Sequence, residues 1–238
     1  VLAALLIGAL AAPAPAAGQR FGGGGQTAPG GDGPLDALTY RYIGPVGNRV
    51  SAVVGVPGDA NVYYIGAASG GIFRSVDGGT SWEPIFDDQP VAAIGSLAID
   101  PVNTNVIWAG TGETFIRSNI LTGNGIYKSV DGGDSWQHMG LEKTGRIGRI
   151  VIDPLDPDTV FAAAMGHAYG PQQERGVYRT QDGGESWEQV LFANENTGAA
   201  DVVMDPNNPN IMFAGMWPLL IRTWGRTSGG PGGGLWMS

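Results

Sequence analysis

The chain has 238 residues, with 41 glycines, 16 prolines and no cysteine, and its formal net charge is −9. The absence of cysteine excludes disulfides and thiolate metal sites, and two histidines are too few for a histidine-rich metal site. The excess of negative charge disfavours nucleic acid as a partner. We therefore expect no cofactor, no bound metal and no nucleic-acid partner.

The first 37 residues lack the pattern of a folded domain. Residues 1–12 form an apolar run too short to span a bilayer, and small residues and prolines follow as far as residue 17. This pattern is typical of a secretory signal peptide with a missing or atypical start, and a truncated membrane anchor is the alternative. Residues 18–37 form a Gly/Pro-rich linker. We expect a bacterial protein, secreted or held in the cell envelope, with no membrane span in the mature chain.

Three copies of one octet follow in the remaining part, residues 38–238. The copies are 75–82, 129–136 and 180–187, and their starts lie 54 and 51 residues apart. A period near fifty with turn residues at fixed offsets is typical of a radial array of strands. The positions that recur are a hydroxyl, an aspartate, a glycine and a tryptophan: Ser75, Asp77, Gly79, Trp82, Ser129, Asp131, Gly133, Trp136, Thr180, Asp182, Gly184 and Trp187.

Each octet reads as a tight turn between two strands. The glycines can adopt positive φ, and the aspartate and first hydroxyl can accept hydrogen bonds from the turn's own backbone. The tryptophan leads the outgoing strand, where its burial would stabilise the fold. Calcium is disfavoured, because one fixed carboxylate per turn falls short of the roughly six to eight oxygens that the ion takes.

A second repeat completes the unit. Asp-Pro turns begin at Asp100, Asp153 and Asp205, with a weaker copy at Val56, and each turn separates two apolar strand-like runs. Each unit of about fifty residues therefore contains four short strands. The predicted fold is all-β, a β-propeller of four-stranded blades.

Residues 234–238 align with residues 71–75, so we expect about four blades, with the domain truncated within the fourth. A radial array closes to hide its strand edges. We accordingly expect the chain to need the rest of its own propeller for closure.

The octets resemble the Asp-box pattern, also called the bacterial neuraminidase repeat. The longer unit resembles propellers of sortilin receptors and of xyloglucan-degrading glycosidases, and this resemblance covers residues 40–238. It implies a secreted propeller but leaves the activity open, because Asp boxes occur in enzymes and in binding proteins alike.

Turns alternate between the two sides of an up-and-down blade. The octets and Asp-Pro turns share one side, and the loops from strand two to strand three lie on the other, at 111–124, 165–175 and 216–233. The resemblance implies that this second side binds the ligand, and long loops with aromatic and polar groups suit recognition. The predicted ligand-binding residues in these loops are Arg117, Asn119, His167, Tyr169, Arg175, Arg222 and Trp224. Arg49 and Arg146 are predicted ligand-binding residues of the innermost strands, where they could line the central channel.

The competing interpretation is structural. Arginine–glutamate pairs could brace one loop against the next, and an Arg149–Asp201 pair could join neighbouring blades. We favour recognition of a protein, peptide or glycan as the function of the loop side.

The alternative function is glycoside hydrolysis, of a xyloglucanase-like or sialidase-like kind. Two-carboxylate hydrolysis needs acids about 5–9.5 Å apart, and Glu113 and Glu174 are the weak candidates. Residues 40–45 depart from the segment that the sialidase resemblance would require. In the xyloglucanase-like enzymes the acids come from two propellers, which would place part of the site outside this chain.

Overall fold

The structure is a computed structural model that describes residues 42–45, 49–117 and 119–238. All of its strands lie within one compact unit, Gly44–Ser238. The predicted signal peptide and linker lie outside the described residues.

The described residues form four antiparallel sheets, which we call blades 1 to 4 in chain order. Blade 1 contains β1 Val50–Gly55, β2 Tyr63–Ala67, β3 Gly71–Ser75 and β4 Glu83–Pro84; blade 2 contains β5 Ile94–Ile99, β6 Ile107–Thr111, β7 Ile126–Ser129 and β8 Gln137–His138. Blade 3 contains β9 Ile147–Ile152, β10 Val160–Ala164, β11 Gly176–Thr180 and β12 Glu188–Leu191; blade 4 contains β13 Thr197–Asp205, β14 Asn208–Arg222, β15 Gly225–Ser228 and β16 Gly234–Met237. A short 3-10 helix, Glu142–Thr144, precedes blade 3.

The prediction of four-stranded blades is confirmed, with one difference in blade 4. The segment predicted as a loop, 216–233, is largely a hairpin in which β14 runs on to Arg222 and pairs with β15. Burial alternates along β14, because every second side chain faces blade 3. The pairing of β14 with β16 completes the main sheet.

Each pair of neighbouring blades encloses its own hydrophobic core. Blades 1 and 2 bury Tyr64, Ile72 and Ile107, blades 2 and 3 bury Trp108 and Ile150, and a third cluster around Val202 and Met212 lies between blades 3 and 4. Sheets stacked face to face in this way position the loops at one end and the octet turns at the other.

The three octet turns have the same hydrogen bonds. In the first turn the Ser75 hydroxyl accepts from the Gly79 amide at 2.9 Å, and the Asp77 carboxylate accepts from the Ser81 amide at 2.8 Å. The equivalent bonds recur around Asp131 and Asp182. Hydrogen bonds from Ser81 lower the pKa of Asp77 to about 2. The turns therefore satisfy their own polar groups through these side chains.

The octet tryptophans are half-buried and join one blade to the next. The Trp136 indole N–H donates to the Ile85 carbonyl at 2.8 Å, and the Trp187 indole N–H donates to the Met139 carbonyl at 2.7 Å. Trp187 also packs edge-to-face on Trp108, with ring centroids 6.2 Å apart. The second and third octets thus stabilise the contact between their blade and the preceding blade.

Replacing Trp187 with phenylalanine is expected to lower the free energy of unfolding by about 1–2 kcal/mol. The phenyl ring keeps the edge-to-face contact but leaves the Met139 carbonyl without its donor. Urea denaturation measures the change, with Trp224→Phe as control because Trp224 is 83% exposed. Equal losses in the two variants would contradict a role for the indole bond.

Candidate functional site

The loops opposite the octets are bonded to one another across blade boundaries. The Gly123 amide donates to the Gly145 carbonyl at 2.8 Å, and the Ile221 amide donates to the Ala168 carbonyl at 2.6 Å. A small apolar cluster lies beneath them, formed by Ile120, Ala168 and Leu219 with Ile116, Trp217 and Ile221. We call this side of the molecule the loop face. This cluster was not predicted. The apolar residues inside otherwise polar loops are the sequence signal that could have indicated it.

Glu113 is the most enclosed carboxylate of the loop face. Its side chain is fully buried, and it accepts hydrogen bonds from Arg49 and from Arg117 Nε, the latter at 2.8 Å. The Leu121 amide adds a longer bond of 3.4 Å. Both arginine side chains remain 45% and 40% exposed, so each presents part of its guanidinium to solvent. Glu113, Arg49 and Arg117, which were predicted separately as site residues, are therefore in contact in the structure.

Two opposing effects set the protonation of Glu113. Burial raises the pKa of its carboxyl, but the hydrogen bonds from Arg49 and Arg117 more than offset burial and hold the pKa at about 2. A group with this pKa is ionised at neutral pH. It is consequently a poor general acid, which must carry a proton at the working pH.

The ion pairs of Glu113 predict acid sensitivity. Because its pKa falls from 4.5 to about 2 on folding, its stabilisation is present above pH 4.5 and is lost as the pH falls towards 2. Glu113→Gln should be less stable than the parent at pH 7, with the difference shrinking below pH 4.5. Denaturation midpoints from pH 7 to pH 2 measure this, and a constant difference across the range would contradict it.

Arg146 and Arg175 lie behind the loop face. Both side chains are buried, and both bond main-chain carbonyls. Arg146 donates to the carbonyls of Glu113 at 3.1 Å and Gly166 at 3.2 Å. Burial lowers the pKa of each guanidinium below its ordinary value. The structure assigns these two residues contacts that hold loops, and their predicted role in touching a ligand stays a prediction.

Arg175 gathers the most loop backbone. Its guanidinium donates to the carbonyls of Asn196 at 2.7 Å, Leu219 at 2.9 Å and Gly170 at 3.1 Å, and also to the His167 carbonyl. These carbonyls belong to the β10–β11 loop, the β12–β13 connection and strand β14, so one side chain fixes the relative positions of three segments. No sequence pattern distinguishes such an arginine from one that faces a ligand.

His167 is half-buried above Gly145. Burial, together with the nearby Arg146 charge, lowers the pKa of its imidazole. The ring is close enough to Gly145 that a Cβ there would come within 2.9 Å of it. The imidazole is packed against Gly145, and the backbone amide of His167 is held by the Gln172 side chain.

The remaining predicted residues are more accessible. Tyr169 is 55% and Trp224 is 83% exposed, and Asn119 and Arg222 are exposed as well. Phe115, which is not in the predicted set, is 59% exposed. Glu174 is partly exposed. The loop face thus presents three aromatic rings and several hydrogen-bonding groups from separate loops.

Arg149 and Asp201 form the ion pair that was expected between blades. Arg149 Nε lies 3.7 Å from Asp201 Oδ1, and both side chains are more than half exposed. A pair of this kind contributes little stability.

Charge separates the two sides of the described chain. The octet and Asp-Pro turns contain no basic residue, although Arg74, Lys128 and Arg179 directly precede the octets, and they contain eleven acidic residues: Asp59, Asp77, Asp100, Asp131, Asp134, Asp153, Asp156, Asp158, Asp182, Glu185 and Asp205. The loop side has six acidic and seven basic residues in its connections: Asp87, Asp88, Glu113, Glu142, Glu174, Glu195, Arg49, Arg117, Lys143, Arg146, Arg175, Arg222 and Arg226. The loop face is therefore close to neutral, in contrast with the rest of the molecule.

The described residues contain neither a metal-binding cluster of acidic and histidine side chains nor a membrane-spanning helix. No group of three or more histidine, aspartate or glutamate side chains among them could hold a metal ion. Within the described residues no helix is long and apolar enough to cross a membrane.

A match to a protein-family model shows which family the chain belongs to. The model described as sortilin, neurotensin receptor 3 (Sortilin-Vps10) matches residues 70–194, more than half of the chain. This chain belongs to the Sortilin-Vps10 family. The resemblance stated from the octets is thereby confirmed at the level of the family.

Curated relatives of this Sortilin-Vps10 chain include xyloglucanases. The xyloglucanase of Paenibacillus sp is 27% identical over 191 residues, covering 74% of this chain and 17% of that protein. Xyloglucanase Xgh74A of Acetivibrio thermocellus is 26% identical over 191 residues, covering 73% of this chain and 21% of the enzyme. The chain thus spans about a fifth of the length of these relatives.

Solved structures confirm the propeller fold. An ancestral GH74 enzyme aligns with a TM-score of 0.59 at 23% identity, covering 75% of this chain and 23% of that one. The GH74 enzyme of Niastella koreensis aligns with a TM-score of 0.55 at 19% identity, covering 71% and 27% of the two chains. YCF48 bound to D1 peptide aligns with a TM-score of 0.50 at 17% identity, covering 75% and 52%. At these identities the likeness describes the fold of the Sortilin-Vps10 chain.

Proposed function

We propose that this chain is the recognition part of an exported β-propeller and that its loop face binds a glycan. The observation that carries the proposal is the group of exposed rings on that face, Phe115, Tyr169 and Trp224. Tyr169 and Trp224 lie on segments bonded by the buried guanidinium of Arg175, and Phe115 lies on a loop whose Glu113 carbonyl accepts from the buried Arg146. Aromatic rings beside hydrogen-bonding groups on a rigid scaffold are what sugar recognition requires.

Electrostatics supports this choice of face. A neutral polysaccharide would gain nothing from the acidic octet side and would meet mostly self-satisfied turns there. On the loop face, Arg49 and Arg117 keep exposed donors that can bond sugar hydroxyls. The xyloglucanase names of the curated relatives favour xyloglucan as the first glycan to test.

The second candidate function is hydrolysis of such a glycan, favoured by those same relatives. Within the described residues, Glu113 is ionised and held by two arginines, which suits a bracing role better than that of a general acid. We therefore propose that the general acid of any catalytic pair is a carboxylate other than Glu113, with Glu174 the remaining weak candidate on the loop face.

Export and localisation remain part of the proposal. Residues 1–17 would direct secretion of a bacterial envelope or extracellular protein, and 18–37 would tether the propeller that begins at residue 38. Mass spectrometry of the secreted protein tests this, because cleavage near residue 17 is the expected result. A product that retains residues 1–17 would contradict the assignment.

The function is tested by binding and turnover measured together. The full chain is titrated with xyloglucan and a panel of other polysaccharides and peptides, and released reducing sugar is assayed in parallel. Phe115→Ala, Tyr169→Ala and Trp224→Ala should each weaken glycan binding, whereas Leu155→Ala should not, since Leu155 is 80% exposed on the octet side.

The outcomes separate the candidates. Glycan binding without turnover, weakened by the loop-face variants alone, is the expected result. Reducing sugar that disappears in Glu174→Gln would establish the hydrolase. Binding of peptides but of no glycan would overturn the glycan assignment while leaving the loop face as a recognition surface.

A further inference from the structure

Arg49 and Arg117 converge on a single oxygen atom of the loop face. Arg49 donates through Nη1 and Arg117 donates through Nε, and both bonds end on Glu113 Oε1. A carboxylate that pairs with one arginine in the two-pronged geometry uses both of its oxygens, and neither arginine has that geometry here. Among the described residues no other side chain accepts a hydrogen bond from Arg49 or Arg117. Each guanidinium therefore keeps N–H donors that Glu113 does not use.

Arg146 adds a third cation directly behind this contact. Its Nε donates to the Glu113 main-chain carbonyl at 3.1 Å, and its Nη1 donates to the Gly166 carbonyl at 3.2 Å. Its Nη2 is buried and has no hydrogen-bond partner among the described residues. We call Arg49, Arg117 and Arg146 the arginine cluster.

The charge of the arginine cluster is not balanced. Within the part of the chain that the structure describes, Glu113 is the one carboxylate that forms an ion pair with any of its members. Three guanidinium charges therefore face one carboxylate charge. Because Arg146 is fully buried, its charge is poorly screened by water and adds to the positive potential at the surface above it. The position of this excess favours a negatively charged group on the ligand.

Solvent reaches the arginine cluster through Arg49 and Arg117, whose side chains are about half exposed. The eleven acidic residues of the octet and Asp-Pro turns lie on the opposite side of the blades. Salt screens charges that lie more than about 8 Å apart at physiological ionic strength. The negative net charge of the chain therefore does not cancel the local excess of positive charge at the loop face.

Aromatic rings lie beside the arginine cluster. Phe115 is in the same loop, between Glu113 and Arg117, and is largely exposed. Burial lowers the pKa of Arg146, and the nearby Tyr169 and Glu113 act in the opposite direction, which shows that Tyr169 lies close to this guanidinium. A uronic acid residue matches both features, because it has a face of C–H groups that packs on a ring and a carboxylate that pairs with arginine.

We propose that the loop face recognises the carboxylate of a uronic acid residue in an acidic glycan, through the free donors of Arg49 and Arg117. Glu113 holds both guanidiniums in place, and Arg146 adds positive charge from behind without touching the sugar. The sugar ring lies against Phe115 or Tyr169. This inference rests on the proposed function, glycan recognition at the loop face, and narrows the class of glycan.

The test compares acidic oligosaccharides with their neutral counterparts. The full chain is titrated by calorimetry with tetrasaccharides of galacturonic, glucuronic and mannuronic acid, each beside the same tetrasaccharide after reduction of its carboxyl groups to alcohols. At least one acidic form is expected to bind about tenfold more tightly than its reduced form, because it adds charge-assisted hydrogen bonds. Added salt should weaken this preference and leave the affinity for the reduced form unchanged.

Matched variants locate the carboxylate. Arg117→Gln and Arg49→Gln should each reduce the preference for the acidic form to about twofold or less, and Glu113 keeps one arginine partner in either variant. Arg179→Gln is the control, since it removes the same charge beside an octet, where Arg179 pairs with Glu188 at 2.6 Å. This control should retain the full preference for the acidic form.

The remaining outcomes contradict the inference in distinguishable ways. Equal binding of every acidic tetrasaccharide and its reduced form would overturn the uronic acid assignment and leave the proposed function intact. A preference that survives in both Arg117→Gln and Arg49→Gln would show that the arginine cluster does not bind the carboxylate. Binding of acidic peptides but of no acidic oligosaccharide would also overturn the assignment. Failure to bind any glycan, xyloglucan included, would overturn the proposed function itself.

Discussion

Arg175→Met is expected to lower the free energy of unfolding by about 3–5 kcal/mol and to abolish ligand binding at the loop face. The side chain is 1% exposed, and its guanidinium donates to four carbonyls from two connections and strand β14. Methionine fills similar space but leaves those carbonyls buried without a donor. Urea denaturation gives the stability change, and a glycan titration gives the binding change.

The control for Arg175 is Arg149→Met. Arg149 is more than half exposed and pairs with Asp201 at 3.7 Å, so its loss should cost less than about 1 kcal/mol. If both variants lost the same small stability, the loops would be held by something other than Arg175. Unchanged glycan affinity in a folded Arg175→Met protein would separate recognition from loop positioning.

Trp108→Ala is the second large expected effect, with a loss of about 3–5 kcal/mol. The ring is fully buried in the core between blades 2 and 3, packs against Trp187, and has the Lys128 ammonium 4.7 Å from its centroid. Alanine leaves a cavity and removes the surface under Gly184. Chemical denaturation of the purified variant provides the measurement.

Two further variants, Trp108→Phe and Trp224→Ala, serve as controls for the Trp108→Ala prediction. Phenylalanine keeps an aromatic ring under the third octet and should cost less than alanine. Trp224→Ala removes an exposed ring and should leave stability unchanged, although it should weaken glycan binding. A loss below about 1 kcal/mol for Trp108→Ala would contradict the account of how octets and blades are coupled.

The repeats were sufficient to predict the blades. Hydroxyl, aspartate and paired glycines at fixed offsets specify the octet turns through local hydrogen bonds, which the Ser75 and Asp77 contacts illustrate. Hydrogen bonds of this kind can be predicted from the sequence because the donors and acceptors lie within four residues of one another.

Non-local contacts were less accessible to prediction. Residues 216–233 were predicted to form a loop because of their glycines and prolines. Much of this segment is instead the hairpin of β14 and β15. The pairing of these strands depends on contacts with neighbouring blades, which the local sequence does not show. The sequence also did not predict that Arg146 and Arg175 are buried. Arg175 and Arg49 look alike in sequence, yet one holds carbonyls inside the loops and the other stands half exposed beside Glu113.

The candidate site was predicted in part. Sequence placed Glu113 and Arg117 in one loop of the loop side and Arg49 on an innermost strand, and the structure brings the three into contact. It did not foresee that the carboxylate would be committed to both arginines, since that depends on the path of loop 111–124. The predicted ligand contacts themselves remain predictions for mutagenesis to test.

The most direct test of the account is hydrogen-exchange mass spectrometry of the full chain with and without a bound glycan. Saturating xyloglucan, or whichever glycan binds, should slow exchange in 111–124, 165–175 and 216–233 and leave the octets at 75–82, 129–136 and 180–187 unchanged. Protection confined to the octet side, with the loop face unaffected, would contradict the assignment of the loop face as the recognition surface.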